Sequence, residues 1–135
     1  MKIVISSDIY YPMINGVAAF SRNLAAGLHQ RGHEILVLAP SNTGQFEIEK
    51  DKDYGFTVVR LSSVKMHLYP DQIHEVPEAR EIRGIQLPRI IYKNGLHVCM
   101  GHISELFSVL DEFQPDIIHD QTPGTVALAV FYYAK

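Results

Sequence analysis

The chain of 135 residues holds a single cysteine, Cys99, so an internal disulfide is excluded. That count suits a reducing compartment, where a lone thiol packs. The closing apolar run, Val126 to Ala134, falls far short of the roughly twenty residues that a membrane-spanning helix needs. Positive charge is not in excess: 12 Lys and Arg stand against 15 Asp and Glu, for a net charge of −3. Without a basic stripe, a nucleic-acid partner is not expected. Seven histidines are scattered through the chain, and only His29 and His33 share helical spacing, with Gly32 between them. Two ligands do not make a metal site, so none is predicted. The G-x-G-x-x-G fingerprint is missing, as is the phosphate loop ending in Gly-Lys-Ser/Thr, so neither a nicotinamide cofactor nor ATP hydrolysis is supported. The chain opens on a strand in place of a secretory leader, and a cytoplasmic protein is the expectation.

The first forty residues read as one βαβ unit. Ile3-Val4-Ile5 is a short β-branched run of the kind buried in a parallel sheet, and Asp8 through Val17, with Pro12 and Gly16, breaks it. From Val17 the period changes. Val17, Phe20, Leu24 and Leu28 recur at helical spacing and predict one packed face, with Ser21, Arg22, Asn23, His29 and Gln30 on the wet side. Gly32 follows Arg31 as a C′ glycine and ends the helix. Ile35-Leu36-Val37-Leu38-Ala39 is the next buried strand, closed by Pro40-Ser41-Asn42. A right-handed crossover sets the two strands side by side.

The loop between strand and helix lies where open α/β sheets place their ligands, at a carboxyl strand end that feeds a helix N-terminus. Gly16 permits close approach to the backbone there; the alternative is a glycine that satisfies a turn. A similar junction recurs near the far end. Pro115-Asp116-Ile117-Ile118-His119 reads as a buried strand left through Asp120-Gln121-Thr122-Pro123-Gly124, with Thr122 as N-cap, Pro123 at the first helical position and Gly124 keeping the first turn bare. A helix is predicted over 125–134. Two helix N-termini on one sheet edge favour an anionic or polyhydroxylated ligand.

The middle carries weaker patterns. Residues 46–53 read as a charged surface loop, 56–61 as a strand of alternating polarity, and 62–69 as extended chain. Residues 78–82 can start a helix after Pro77, which Gly84 and Pro88 interrupt. Arg80, Arg83, Arg89 and Lys93 interleave with Ile82, Ile85, Leu87 and Ile90. A solvated face is the plainer reading, because Glu75, Glu78 and Glu81 dilute the charge; contact with an anionic membrane surface is the other. Residues 103–113 form an amphipathic helix, with Leu106, Phe107, Leu110 and Phe113 at core spacing.

Lys2-Ile3-Val4-Ile5, Asp8-Ile9-Tyr10-Tyr11-Pro12, Asn15-Gly16-Val17 and Arg31-Gly32-His33-Glu34-Ile35 together resemble the amino-terminal domain of GT-B glycosyltransferases. The resemblance is to the retaining enzymes of family four, which include glycolipid and phosphatidylinositol glycosyltransferases. The segments 54–61 and 115–119 look like the same family, and Ile118 to Gly124 is similar to its branch acting on diacylglycerol-type lipids. The resemblance implies a Rossmann-like doubly wound parallel sheet, with residues 1–135 as an incomplete acceptor-side domain and a donor-binding second domain outside this chain. It also implies transfer from a sugar nucleotide with retention, no cofactor, an acceptor of which a membrane lipid is one class, and work in the cytoplasm or at the inner face of the membrane.

By the same resemblance Asn15, Gly16 and Val17 lie beside the donor diphosphate. Asp120 and Gln121 stand where transfer occurs, and Tyr10, Thr122 and Gly124 fall to acceptor and sugar binding. The family commonly has a second histidine where this chain has Gln121, a side chain that can hydrogen-bond a sugar hydroxyl but cannot transfer protons near neutral pH. His119 itself reads as the end of a strand. Two alternatives stay open: a non-catalytic Rossmann-like subunit that docks or anchors a catalytic partner, and a sugar-nucleotide epimerase of GT-B architecture.

Overall fold

The computed structural model describes residues 1–66, 72–82, 85–93, 96–99 and 103–135. Strand β1 (Lys2–Ser6), helix α1 (Gly16–Gln30) and strand β2 (Glu34–Pro40) form the expected βαβ unit. Strands β3 (Glu47–Lys50), β4 (Thr57–Leu61), β5 (Ser63–Met66), β6 (Gln72–Ile82), β7 (Ile85–Lys93) and β8 (Leu96–Cys99) follow. Helix α2 (Ile103–Phe113), strand β9 (Ile117–Asp120) and helix α3 (Thr125–Tyr133) close the chain. The central sheet has the order β3-β4-β2-β1-β9, with β4, β2, β1 and β9 parallel and β3 antiparallel at the edge.

Strand periodicity divides the apolar side chains between two faces. Ile3, Ile5, Ile35, Val37 and Val58 pack with Ala25 and Ala26 of α1. Val4, Leu36, Leu38 and Val59 pack with Leu106 and Leu110 of α2 and with Val126 and Val130 of α3. Helices therefore cover both faces, which is the doubly wound α/β arrangement, and buried strands of this kind read as continuous apolar runs. Gly32 has φ +88°, as a C′ glycine requires, and its N–H donates to the carbonyl of His29.

Five local expectations are corrected. In α1 the packed positions are Ala18, Ser21, Ala25 and Ala26, with Leu24 and Leu28 half-buried, whereas Val17 is exposed and Phe20 is 58% exposed. Small side chains let the helix axis approach the sheet, and the buried Ser21 hydroxyl is satisfied by the Val17 carbonyl at 2.8 Å. Ala25→Leu should therefore overpack the sheet and cost about 1–3 kcal/mol. Phe20→Ser should stay within about 0.5 kcal/mol. Chemical denaturation of the two variants checks the order, and the reverse order would return the packed face to Val17 and Phe20.

Within 46–53, β3 replaces a loop. Arg22 ties the segment down, with Nε 2.7 Å and Nη2 2.9 Å from the two Asp51 carboxylate oxygens and Nη2 2.5 Å from Asp53. Its guanidinium also lies 4.5 Å from the Tyr11 ring centroid and 5.3 Å from that of Tyr54. Burial pushes the Asp51 carboxyl up, but the Arg22 hydrogen bonds outweigh it and hold it below the ordinary carboxylate value. Strand β4 is not alternating: Val58, Val59, Arg60 and Leu61 are all buried, because α1 lies over one face of the sheet and α2 and α3 over the other.

Residues 78–82 belong to a hairpin, where β6 pairs antiparallel with β7. Helix nucleation is costly, and the stretch from Pro77 to Gly84 is too short to recover it. The register shifts between Val76 and Arg80, so Pro77, and Pro88 opposite, fall where the ladder is interrupted and a missing N–H is tolerated. Of the basic residues, Arg80, Arg89 and Lys93 are on this hairpin; Arg83 lies outside the described residues. Finally, α3 begins at Thr125, so Thr122 is not its N-cap, Pro123 is not its first residue, and the cap position is Gly124, which supplies no side-chain bond.

Candidate functional site

Because β1 and β9 run parallel, the junctions that leave them open on the same edge of the sheet. The first is the loop 7–15, which crosses the cis peptide Tyr11-Pro12 and delivers Asn15 as N-cap of α1. Asn15 Oδ1 accepts from the Ala18 amide at 2.9 Å. Its backbone carbonyl accepts from Ala19. The N–H groups of Gly16 and Val17, at the first two helical positions, have no acceptor inside the helix. No acidic residue sits in this first turn, so the positive end of the helix dipole is uncompensated.

Gly16 does not have positive φ, and a Cβ built there would meet nothing within 4 Å. Nothing in the fold demands glycine at this position. The position lies on the carboxyl edge of the parallel sheet, the edge at which open α/β folds bind ligands. A shallow cleft of about 200 Å³ adjoins it, lined by Tyr11, Met13, Ile14, Asn15, Ala18 and Arg22 among others.

The second junction is organised differently. Asp120 ends β9, and its Oδ1 accepts from Ser6 Oγ at 2.6 Å. Burial raises the Asp120 carboxyl above its ordinary value; the Ser6 hydroxyl pulls it back, and the nearby charge of Asp8 adds to the rise. The Gln121 backbone amide donates to the Ser6 carbonyl at 2.9 Å, which fixes its backbone on β1, and the residue is half-buried. Thr122 Oγ1 accepts from the Asp8 amide at 2.7 Å. The amino end of α3 is closed by a residue more than a hundred positions away. Asp8 Oδ1 accepts from Thr125 N at 2.9 Å, Thr125 Oγ1 at 2.8 Å and Val126 N at 3.2 Å.

Gly124 is bare for a steric reason. A Cβ there would come within 2.7 Å of Asp8 Oδ1 and would overlap Cγ and Oδ2. The carboxylate thus occupies the space that an ordinary capping side chain would fill. This alters the expected picture of two open helix ends: α1 presents free amides, whereas α3 already carries its own anion.

Tyr10 turns inward. It is 3% exposed and packs in the core beneath α1, with the Arg60 guanidinium 5.4 Å from its ring. Burial and then the Asp51 carboxylate push its phenol pKa up, so it stays protonated. Its neighbour Tyr11, half-buried beside the cleft, is the aromatic residue at the surface here. Cys99 is half-buried, and burial, with the carboxylates of Asp8 and Glu105, pushes its thiol up to about 12. Packing is the chemistry left to it.

The structure therefore brings Asp120, Gln121, Thr122 and Gly124 together on one loop, and Asn15, Gly16 and Val17 on the neighbouring one. Sequence reasoning missed Ser6, Asp8 and Thr125. The available signal was the polar run Ser6-Ser7-Asp8 immediately after a buried strand, where three small polar residues in succession need partners. Among the described residues no group of three or more His, Cys, Asp and Glu side chains could hold a metal ion, and no helix is long and apolar enough to cross a membrane.

Residues 14–135 match the sequence profile described as Glycosyltransferase Family 4. The chain is 29% identical over its whole length to 26% of a GDP-mannose-dependent alpha-mannosyltransferase from Corynebacterium glutamicum. It is 22% identical, again over its whole length, to 24% of an alpha-monoglucosyldiacylglycerol synthase from Streptococcus pneumoniae. A GDP-mannose-dependent alpha-mannosyltransferase from Mycolicibacterium smegmatis is 26% identical, over all of this chain and 29% of that protein. The chain thus spans about a quarter of the length of the curated relatives it matches. No solved structure matches it significantly.

Proposed function

The chain belongs to glycosyltransferase family 4, and from that premise we propose that it is the acceptor-side part of an enzyme that transfers a sugar from a sugar nucleotide with retention. The observation that carries this reading is the open amino end of α1: two amides without helical acceptors, a neutral cap and a glycine facing free space. As the bond between sugar and diphosphate breaks, negative charge grows on the leaving oxygen. The Gly16 and Val17 amides, aided by the helix dipole, would stabilise that charge as it forms. Anions favour such an end for the same reason in the ground state.

The loop Asp120-Gln121-Thr122 lies on the same edge and would meet the sugar. Gln121 offers both a donor pair and an acceptor to hydroxyl groups. Asp120 is exposed, and while its Oδ1 accepts from Ser6 the carboxylate would offer its other oxygen to a sugar hydroxyl. A donor-binding second domain facing this edge completes the reading, supported by the greater length of the relatives. A lipid acceptor is supported by the relative named for monoglucosyldiacylglycerol, and it implies work at the cytoplasmic membrane surface.

The test is to incubate the full-length protein with a panel of nucleoside diphosphate sugars, GDP-mannose included, and vesicles containing diacylglycerol. The expected result is release of the nucleoside diphosphate with formation of a glycolipid whose anomeric configuration, read by NMR, matches the donor. Interconversion of the nucleotide sugar without release would point to an epimerase. Failure to release diphosphate from any donor, with retained binding to a second protein, would favour the docking subunit.

A further inference from the structure

Asp8 is 6% exposed, and its carboxylate is committed on one side only: Oδ1 collects three donors from Thr125 and Val126, while Oδ2 is buried without a hydrogen-bond partner. A helix that needs only a cap obtains one more cheaply from a Ser, Thr, Asp or Asn at its own N-cap position. Here position 124 is glycine, because the side chain of Asp8 fills the space. Departures from local economy of this kind gather at functional sites, where geometry is held at some expense of stability. The location of Asp8 says what is held. Its residue belongs to the loop that delivers Gly16, its amide binds Thr122, and its carboxylate binds the two residues after Gly124.

We propose that Asp8 is a positioning residue for sugar transfer, clamping the Asp120-Gln121-Thr122 loop to the loop that carries the α1 amino end. This rests on the reading of the previous subsection and adds to it the element that keeps the sugar side in register with the diphosphate side. Displacement of a reacting group by about 1 Å can cost a hundredfold in rate, so a rigid link between the two loops acts directly on turnover. The carboxylate also neutralises the α3 amino end, which leaves α1 as the sole uncompensated helix end among the described junctions on this edge.

The experiment compares Asp8→Ala and Asp8→Asn in the full-length protein, with GDP-mannose and the other donors of the panel as probes. Asp8→Asn retains an oxygen that accepts from Thr125 and Val126, so it should keep kcat within about threefold of wild type. Asp8→Ala should lower kcat tenfold or more per correctly folded molecule, with the donor KM changed less than about threefold, because the diphosphate is held at α1. A clamp that only stabilises would lower the melting temperature in Asp8→Ala and leave kcat per folded molecule unchanged, and that result overturns the proposal. Where Asp8→Ala does not fold, Thr125→Val, which deletes one donor to the same oxygen, should show the same split with kcat lowered at least threefold; an unchanged kcat overturns it. Wild-type protein that releases diphosphate from no donor defeats the glycosyltransferase reading itself, and the positioning role falls with it.

Discussion

Gly16→Val in the full-length protein is expected to cut sugar transfer about a hundredfold or more, while the melting temperature moves by no more than a few degrees. The size of the first effect follows from a side chain that holds the diphosphate away from the Gly16 and Val17 amides, since losing one such donor contact in comparable sites costs about 10²- to 10³-fold. The smallness of the second follows from the backbone. Gly16 does not have positive φ, and its Cβ position is empty to 4 Å, so a side chain enters there without backbone strain and without a clash at its first carbon. A glycine required by a turn would behave in the opposite way, losing about 1–3 kcal/mol of stability through an unfavourable backbone conformation. Turnover and thermal midpoint measured on one preparation separate the two. Early melting with normal turnover would remove Gly16 from the donor site.

Gly124→Ala should fail by a different route. The added methyl would overlap the Asp8 carboxylate, which is no freely swinging end, since Thr125 N, Thr125 Oγ1 and Val126 N all hold its Oδ1. Moving it strips those donors of their partner, and bonds to a charged acceptor contribute about 1.5–3 kcal/mol each. A loss on the order of 3 kcal/mol is expected, with turnover lowered alongside. The double variant Asp8→Ala/Gly124→Ala provides the check: with the carboxylate gone the methyl has room, so the pair should be no less stable than Asp8→Ala alone. Simple additivity of the two losses would show that Gly124 is needed for some other reason.

The βαβ unit, the C′ glycine at 32, the amphipathic α2 and the junction at Asn15-Gly16 were all legible in order of residues, because each depends on neighbours within a turn or a strand. The family profile over residues 14–135 agrees with the family resemblance read from the short segments at 15–17, 31–35, 54–61 and 115–119. The packed face of α1 was not legible. Apolar periodicity selected Val17 and Phe20, but the sheet accepts small side chains at 18, 21 and 25 and leaves Phe20 outside. The hairpin of β6 and β7 was missed although its strands follow one another in the chain, because strand propensity depends more on context than helix propensity does.

The same division holds at the site. Sequence alone determined that a loop with a glycine leads from a buried strand into the start of a helix, since strand, breaker and helix period are local patterns. Only the tertiary structure decided that the two helix ends on that edge differ in charge. Thr122, a plausible cap by position, has its Oγ1 accept from the Asp8 amide and from no amide of α3, while the α3 amides donate to Asp8 itself. Such an exchange depends on β1 and β9 lying side by side across more than a hundred residues. A long-range contact of that kind leaves no period in the sequence, because the donor and the acceptor are chosen by space and not by spacing.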